Sequence, residues 1–380
     1  VNVVMAVVLT VLAHVGFGGI RVALSLTAID QAATPLAVGS LLSLYSLGPM
    51  FLSVAAGRWI DRIGVGRPLF IGLGLMVAGS AVGWLPLGLP VLLVTSVLVG
   101  SGFLLTQLVT QKLVGDAGHD HEARRRNFGL LAIGYSISGV VGPTAAGLLY
   151  DRLGPQDTFL AFTAMPLVVL FSLLRKRHDL PGPAPAIAVR RRFFDLLAEP
   201  RLRRLYLATA LTSTAWDLHQ FVVPIYGRGI GLSASDIGFI LGSFGLATLF
   251  VRLVLPLFLR RLREWTAIAS AQVVALGVFV AYPFCDRFES LVALSFVLGL
   301  GLGLGQPMVL SLLHLLTPAG RVGEAIGLRL MVINGTQTAL PGAFGALGSV
   351  FGVGILFWAV AATLGLGLLA QATAGYNRSS

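Results

Sequence analysis

The chain has 380 residues, 56% of them hydrophobic and only 11% charged, with a formal net charge of +11. An ordinary soluble domain carries roughly a quarter of its residues as charges. At this composition and a mean hydropathy of +0.87, the chain lacks the polar shell that a soluble all-helical protein needs. A lone cysteine, Cys285, excludes an intrachain disulfide framework.

Charges are clustered, and the tracts between them set the predicted elements. A bilayer crossing takes about 20 apolar residues. Residues 68–111 and 330–377 contain no Asp, Glu, Lys or Arg, and each tract holds two crossings. Charges and Pro/Gly punctuation place twelve spans, at 3–24, 37–57, 68–85, 90–111, 127–149, 157–174, 205–227, 237–258, 265–284, 290–315, 327–349 and 353–373. The first is read as a span rather than a cleaved leader, because no small-residue cleavage site follows a basic start. The connections on one side hold 22 of the 27 Lys and Arg residues, whereas the other side has only Arg152, Arg228 and Arg287. That asymmetry puts the basic side and both termini in the cytoplasm of a multi-pass cell (inner) membrane protein. The positive charge is then a topology signal, not a nucleic-acid surface, and Arg190–Arg192 in the longest connection face anionic lipid headgroups.

The spans repeat. With a shift of 199 residues, Gly39 falls on Gly238, Gly100 on Gly299, Gly102 on Gly301 and Gln107 on Gln306. With a shift of 198, Gly129 falls on Gly327, Pro143 on Pro341, Gly147 on Gly345 and Gly154 on Gly352. The expected fold is therefore an all-α polytopic membrane protein, with twelve transmembrane helices in two pseudo-symmetric six-helix bundles. The bundles occupy 1–175 and 205–380. Residues 176–204 form a cytoplasmic linker with a short interfacial helix. Six plus six spans repeated in parallel is an organisation of secondary transporters.

The connection after the second span reads "GRWIDRIGVGRP". Asp61 and Arg62 stand where a helix leaves the membrane, and Gly64 and Gly66 allow a tight reversal. An aspartate there can face the positive N-terminal end of another helix and act as a conformational latch. The tract resembles the cytoplasmic loop motif of the major facilitator superfamily, G-x-x-x-D-R-x-G-R-R. Gly57, Asp61, Arg62 and Gly64 match, Val65 and Gly66 stand in the place of the basic pair, and Arg67 takes over part of that role. The fifth span, "GLLAIGYSISGVVGPTAAG", resembles the family's fifth-helix signature through Gly129, Gly142, Pro143 and Gly147, residues suited to helix bending and close packing. That resemblance implies proton-driven export. The fourth span departs from it, with Ser96 and no arginine four residues before Gly100.

Asp217, near the midpoint of the seventh span, is the sharpest site signal. A charge at bilayer depth is costly and must face a cavity or a partner. Helical spacing sets Ser213, Asp217 and Gln220 on one face and Trp216 and His219 on another. Asp217, with His219 as second candidate, is expected to change protonation during the cycle, the alternative being a static partner for an arginine. Arg21 lies near the outer end of the first span, with His14 two turns below it. The resemblance implies that spans 1, 4, 7 and 10 line the cavity and that 1 and 7 meet toward the outside. Arg21 then pairs with Asp217, binds an anionic substrate, or snorkels to headgroups. Gln107 and Gln306 on spans 4 and 10 suit either a polar substrate or helix–helix bonds, as do Asn334 and Gln337 on span 11. Arg252 is a further charge within a span.

There is no phosphate-cradling Walker loop and no H-E-x-x-H or cysteine-rich metal spacing. An enzyme and a cofactor are not expected; a proton gradient is the expected energy source and a single chain the expected unit. Three functions stay open: proton-coupled efflux of an amphipathic or drug-like compound, uptake or facilitated exchange of an organic anion, and a non-transporting sensor or assembly protein on a transporter fold.

Overall fold

In hydrocarbon every backbone N–H and C=O must be satisfied within the protein, which leaves a helix as the outcome for each long apolar tract. The computed structural model describes residues 3–86, 88–117, 121–175, 180, 193–258, 263–318 and 321–376. Among these residues the chain forms twelve α-helices: α1 (Val3–Asp30), α2 (Pro35–Ile63), α3 (Gly66–Val82), α4 (Leu89–Asp116), α5 (His121–Leu153), α6 (Pro155–Leu174), α7 (Pro200–Gly229), α8 (Ala234–Phe258), α9 (Glu264–Ala281), α10 (Phe288–Leu316), α11 (Val322–Phe351) and α12 (Gly354–Tyr376). Nine of them are long and apolar enough to cross a membrane; the other three are α3, α7 and α11. The last two carry the polar residues considered below. The protein is thus an all-α polytopic membrane protein. Residues 176–179 and 181–192, which include Arg190–Arg192, lie outside the described residues, and a short 3-10 helix, Phe193–Ala198, precedes α7.

Hydroxyls inside the helices are satisfied locally: Thr10, Ser96, Thr209 and Thr212 each donate to the carbonyl four residues back, at 2.7–2.9 Å. Pro35 starts α2 behind a Thr34 cap, its fixed φ suiting the first turn. Gly64 ends α2 at φ 85°, a conformation open to glycine and costly for other residues, as the reversal in that tract requires.

Helices α1 to α6 pack on one another, as do α7 to α12, and each major pairing recurs six helices on. Thus α3–α4 is matched by α9–α10, α2–α4 by α8–α10, α1–α5 by α7–α11 and α3–α6 by α9–α12. The two sets meet mainly through α5–α8 and α2–α11. The sequence repeat becomes contact at these crossings. A β-carbon on Gly39 of α2 would collide with the Pro341 carbonyl of α11, and one on Gly238 of α8 would stand 2.7 Å from the Pro143 carbonyl of α5. These are the residues that the shifts of 199 and 198 align, so the small residue and the kinked partner occur together twice.

The crossings close one end of the molecule. There the Leu36 amide donates to Ser349 Oγ at 3.0 Å, and the Asp151 carboxylate accepts from the Ala234 and Ser235 amides at 3.2 and 2.7 Å, capping α8. Arg228 Nη2 meets Asp30 Oδ2 at 3.0 Å, and the Tyr150 hydroxyl donates to the same oxygen at 2.9 Å. Toward the opposite end, where Asp61 lies, the ion pairs between described residues stay within one set of helices, and Arg252 of α8 bonds across to Ala132 and Ser136 of α5.

Candidate functional site

Asp217 sits at the junction of α1, α7 and α11 and is 1% exposed. Its Oδ1 lies 3.8 Å from Arg21 Nη1 and accepts a hydrogen bond from Gln337 Nε2 at 3.2 Å. The junction is incompletely satisfied: Asp217 Oδ2 and Arg21 Nε and Nη2 have no partner. Coulomb attraction at this separation is on the order of 4 kcal/mol at an effective dielectric of about 20. Desolvating the two ions costs several kcal/mol each. At this separation, and with three of its polar atoms unpartnered, the attraction does not repay the desolvation of both ions, so the pair is sensitive to any change in charge at either partner. Because Arg21 belongs to the first six helices and Asp217 to the last six, that change acts directly on the join between them.

The neighbouring residues divide by face. Ser213, one turn before Asp217, is buried, whereas Gln220 is half-buried. Trp216 and His219 point to α8, where both rings pack on Phe244 with centroids at 4.5 and 4.9 Å. His219 Nε2 is 2.9 Å from Ser295 Oγ and 3.1 Å from the Tyr282 hydroxyl, and Ser295 Oγ in turn donates to the Ile240 carbonyl. His219 thus lies inside the last six helices and is not brought together with Asp217. Asn334 is half-buried one turn before Gln337 on α11, and Gln306 is half-buried on α10.

A second polar region lies on α1, α4 and α5. His14 is half-buried among Phe17, Phe103 and Tyr135, with ring centroids at 5.9, 5.2 and 5.0 Å, and its Nδ1 has no partner. The Tyr135 hydroxyl faces Gln107 and Gln111 without a well-formed hydrogen bond to either. Arg252 of α8 reaches across to this region, where its Nη1 donates to Ser136 Oγ at 2.7 Å and to the Ala132 carbonyl.

In the Asp61 tract, Asp61 Oδ1 pairs with Lys112 Nζ of α4 at 2.9 Å, within the first six helices. Arg62 and Arg67 are exposed and Gly57 is half-buried. On α5, Gly142 packs on the α1 backbone at Val15 and Gly147 on the Ala234 carbonyl, whereas Gly129 faces open space. The closing residues Asp30, Tyr150, Asp151 and Arg228 escaped the sequence reading. They stand at helix ends, where charge is ordinary, and one sequence carries no sign that distant ends meet. Among the described residues no group of His, Cys, Asp and Glu is placed to hold a metal.

The family model described as Major Facilitator Superfamily matches residues 6–285 and 205–376. The chain is 21% identical over 271 residues to a probable vesicular acetylcholine transporter-A of Danio rerio, covering 68% of this chain and 51% of that protein. It is 20% identical over 259 residues to a synaptic vesicular amine transporter of Rattus norvegicus, covering 65% and 48%. To a probable anion transporter 4, chloroplastic, of Oryza sativa subsp. japonica it is 26% identical over 201 residues, covering 51% and 32%. The chain therefore spans about half the length, or less, of these relatives. Among solved structures, a POT family transporter in complex with 5-aminolevulinic acid superposes with a TM-score of 0.81 at 14% identity, over 97% of this chain and 94% of that one. The nucleoside transporter NupG gives 0.81 at 12% identity, over 98% and 100%. These likenesses concern the fold. With the family model covering nearly its whole length, the chain belongs to the Major Facilitator Superfamily, a family of transporters and not of enzymes.

Proposed function

We propose that this protein is a secondary transporter that carries a small molecule across a cell membrane by alternating access. Two six-helix bundles, residues 1–175 and 205–380, rock about the junction of Arg21, Asp217 and Gln337. The observation that carries this reading is the buried, incompletely satisfied ion pair between α1 and α7, which links the two sets of helices below an end held closed by cross-contacts. The basic connections assign the Asp61 end to the cytoplasm, which, with the Asp30 end closed, makes this the inward-facing state.

Coupling follows from the pair. With Asp217 ionised, Arg21 holds α1 against α7. Protonation cancels the attraction and favours the state open at the Asp30 end; in an exchange, Asp217 takes up its proton there and releases it to the cytoplasm as it pairs again with Arg21, while the substrate moves the other way. The fifth-helix resemblance gives the direction as export of an amphipathic compound in exchange for protons. Purified protein in vesicles with an imposed pH gradient tests this. Wild type should drive gradient-dependent flux, and Asp217→Asn should abolish accumulation while leaving exchange down a substrate gradient. Full gradient-driven accumulation by Asp217→Asn would refute the coupling.

A further inference from the structure

The names of the relatives point to acetylcholine, amines and an anion, so the charge of the substrate must be read from the interior. Four charged residues lie more than five positions from either end of their helix: Arg21, Arg252, Arg329 and Asp217. Asp217 is committed to Arg21. Among the described residues Arg252 has no carboxylate within ion-pair distance. Its Nη1 is held by Ser136 and Ala132, and among the described residues no hydrogen bond engages its Nε or Nη2. The guanidinium is therefore fixed at one nitrogen and offers its remaining edge. Its anchor Ser136 adjoins Tyr135, whose ring centroid is 5.0 Å from that of His14, and His14 Nδ1 is without a partner. Beside His14 stand the Tyr135 hydroxyl, the half-buried Gln107 amide and a wall of stacked rings, with Phe17 and Phe103 centroids 3.8 Å apart.

We infer that Arg252, His14, Tyr135 and Gln107 form the binding site for an organic anion, a carboxylate on a planar apolar body. Arg252 takes the charge, and the half-buried rings of Phe17 and Tyr135 take the body. An edge of two guanidinium N–H groups matches a carboxylate in geometry as well as sign. The imidazole Nδ1 and the Tyr135 hydroxyl are without partners, the Gln107 amide stands beside the phenol, and flat rings favour offset stacking with a flat ligand. A cationic substrate at this place would meet Arg252 with no acid to offset it. The inference deepens the transporter reading and rests on it only in taking this polar region as the place that receives substrate.

Binding to the full chain in lipid nanodiscs, followed by calorimetry, tests it without requiring flux. The probes are 2-naphthoate, its neutral amide and 2-naphthylmethylamine. The wild type should bind naphthoate at least about tenfold more tightly than the amide, and the amine most weakly. Arg252→Gln, which keeps a donor toward Ser136, should bring naphthoate down to the amide, whereas Arg252→Lys should keep the order of the probes. If Arg252→Gln proves unstable, Phe17→Ala decides in its place: affinity for naphthoate should fall while the anion preference stays. Amine binding as tight as naphthoate, unchanged naphthoate binding in Arg252→Gln, or no naphthoate binding to wild type would overturn the site. Anion binding without gradient-driven flux would instead remove the transporter reading and leave the site. Gradient-driven flux of the amine would do the reverse.

Discussion

Replacing Asp30 by alanine removes two contacts that hold the closed end, the 3.0 Å ion pair with Arg228 and the 2.9 Å bond from Tyr150. The Asp30 side chain is 40% exposed, so solvent screening holds the ion pair to under about 1 kcal/mol. The Tyr150 bond contributes about 1 kcal/mol. Arg228 keeps its bond to the Leu232 carbonyl, so its charge is not stranded. Together the loss is about 1–2 kcal/mol, which raises the population open at this end by a factor of about 5–30. Ser43→Cys, placed in a Cys285→Ser background, reports the opening. Ser43 Oγ accepts from the Gly342 amide across the α2–α11 crossing, so a maleimide reaches this position when the crossing parts. Labelling should speed up by the same factor in Asp30→Ala. Asp157→Ala is the control, since Asp157 accepts from Trp84 Nε1 within the first six helices and should leave the rate alone. A change below about twofold in Asp30→Ala, or an equal change in the control, would refute the latch.

Exchanging the buried charges by Arg21→Asp with Asp217→Arg should restore part of the thermal stability that either single change loses, about 3–5 kcal/mol when one partner is stranded; no recovery in a detergent melt would contradict the pairing. Gly238→Val overfills the α5–α8 crossing and should cost about 1–3 kcal/mol, together with faster labelling at Ser43→Cys. Asp61→Asn breaks an exposed pair within one half and should shift stability by less than about 1 kcal/mol, leaving labelling at the closed end unchanged. His219→Ala opens a packed site and should lower the melting temperature while gradient-dependent flux persists in the folded fraction; loss of coupling alone would return His219 to the proton path.

The helices were legible because a bilayer imposes one backbone solution on each apolar tract, yet their ends were not. The first span was read to residue 24, whereas α1 runs to Asp30. Charge marks the edge of the hydrocarbon, while a helix continues for as long as its hydrogen bonds do. The repeat of Gly39 on Gly238 and Pro143 on Pro341 was visible as register. That each glycine faces the other half's proline belongs to packing between distant helices. Asp217 declared itself by depth, and Arg21 as its counterpart by family resemblance. Gln337 was visible as a polar residue without its target. His219, two residues from Asp217, follows the helical period onto the opposite face and into the α8–α10 interior. Arg252 was visible as a charge, but its direction, toward Ser136 and His14, depends on how α8 is rotated against α5, which no single sequence records.

The central claim is that the two ends exchange access through the Arg21–Asp217 junction. Paired spin labels test it most directly, one pair at Gln31 and Val350 near the closed end and one at Arg62 and Leu315 near the other. All four positions are exposed. Lowering the pH, or substituting Asp217→Asn at fixed pH, should lengthen the first distance and shorten the second in the same molecules. Distances that stay fixed, or that lengthen together, would contradict the account.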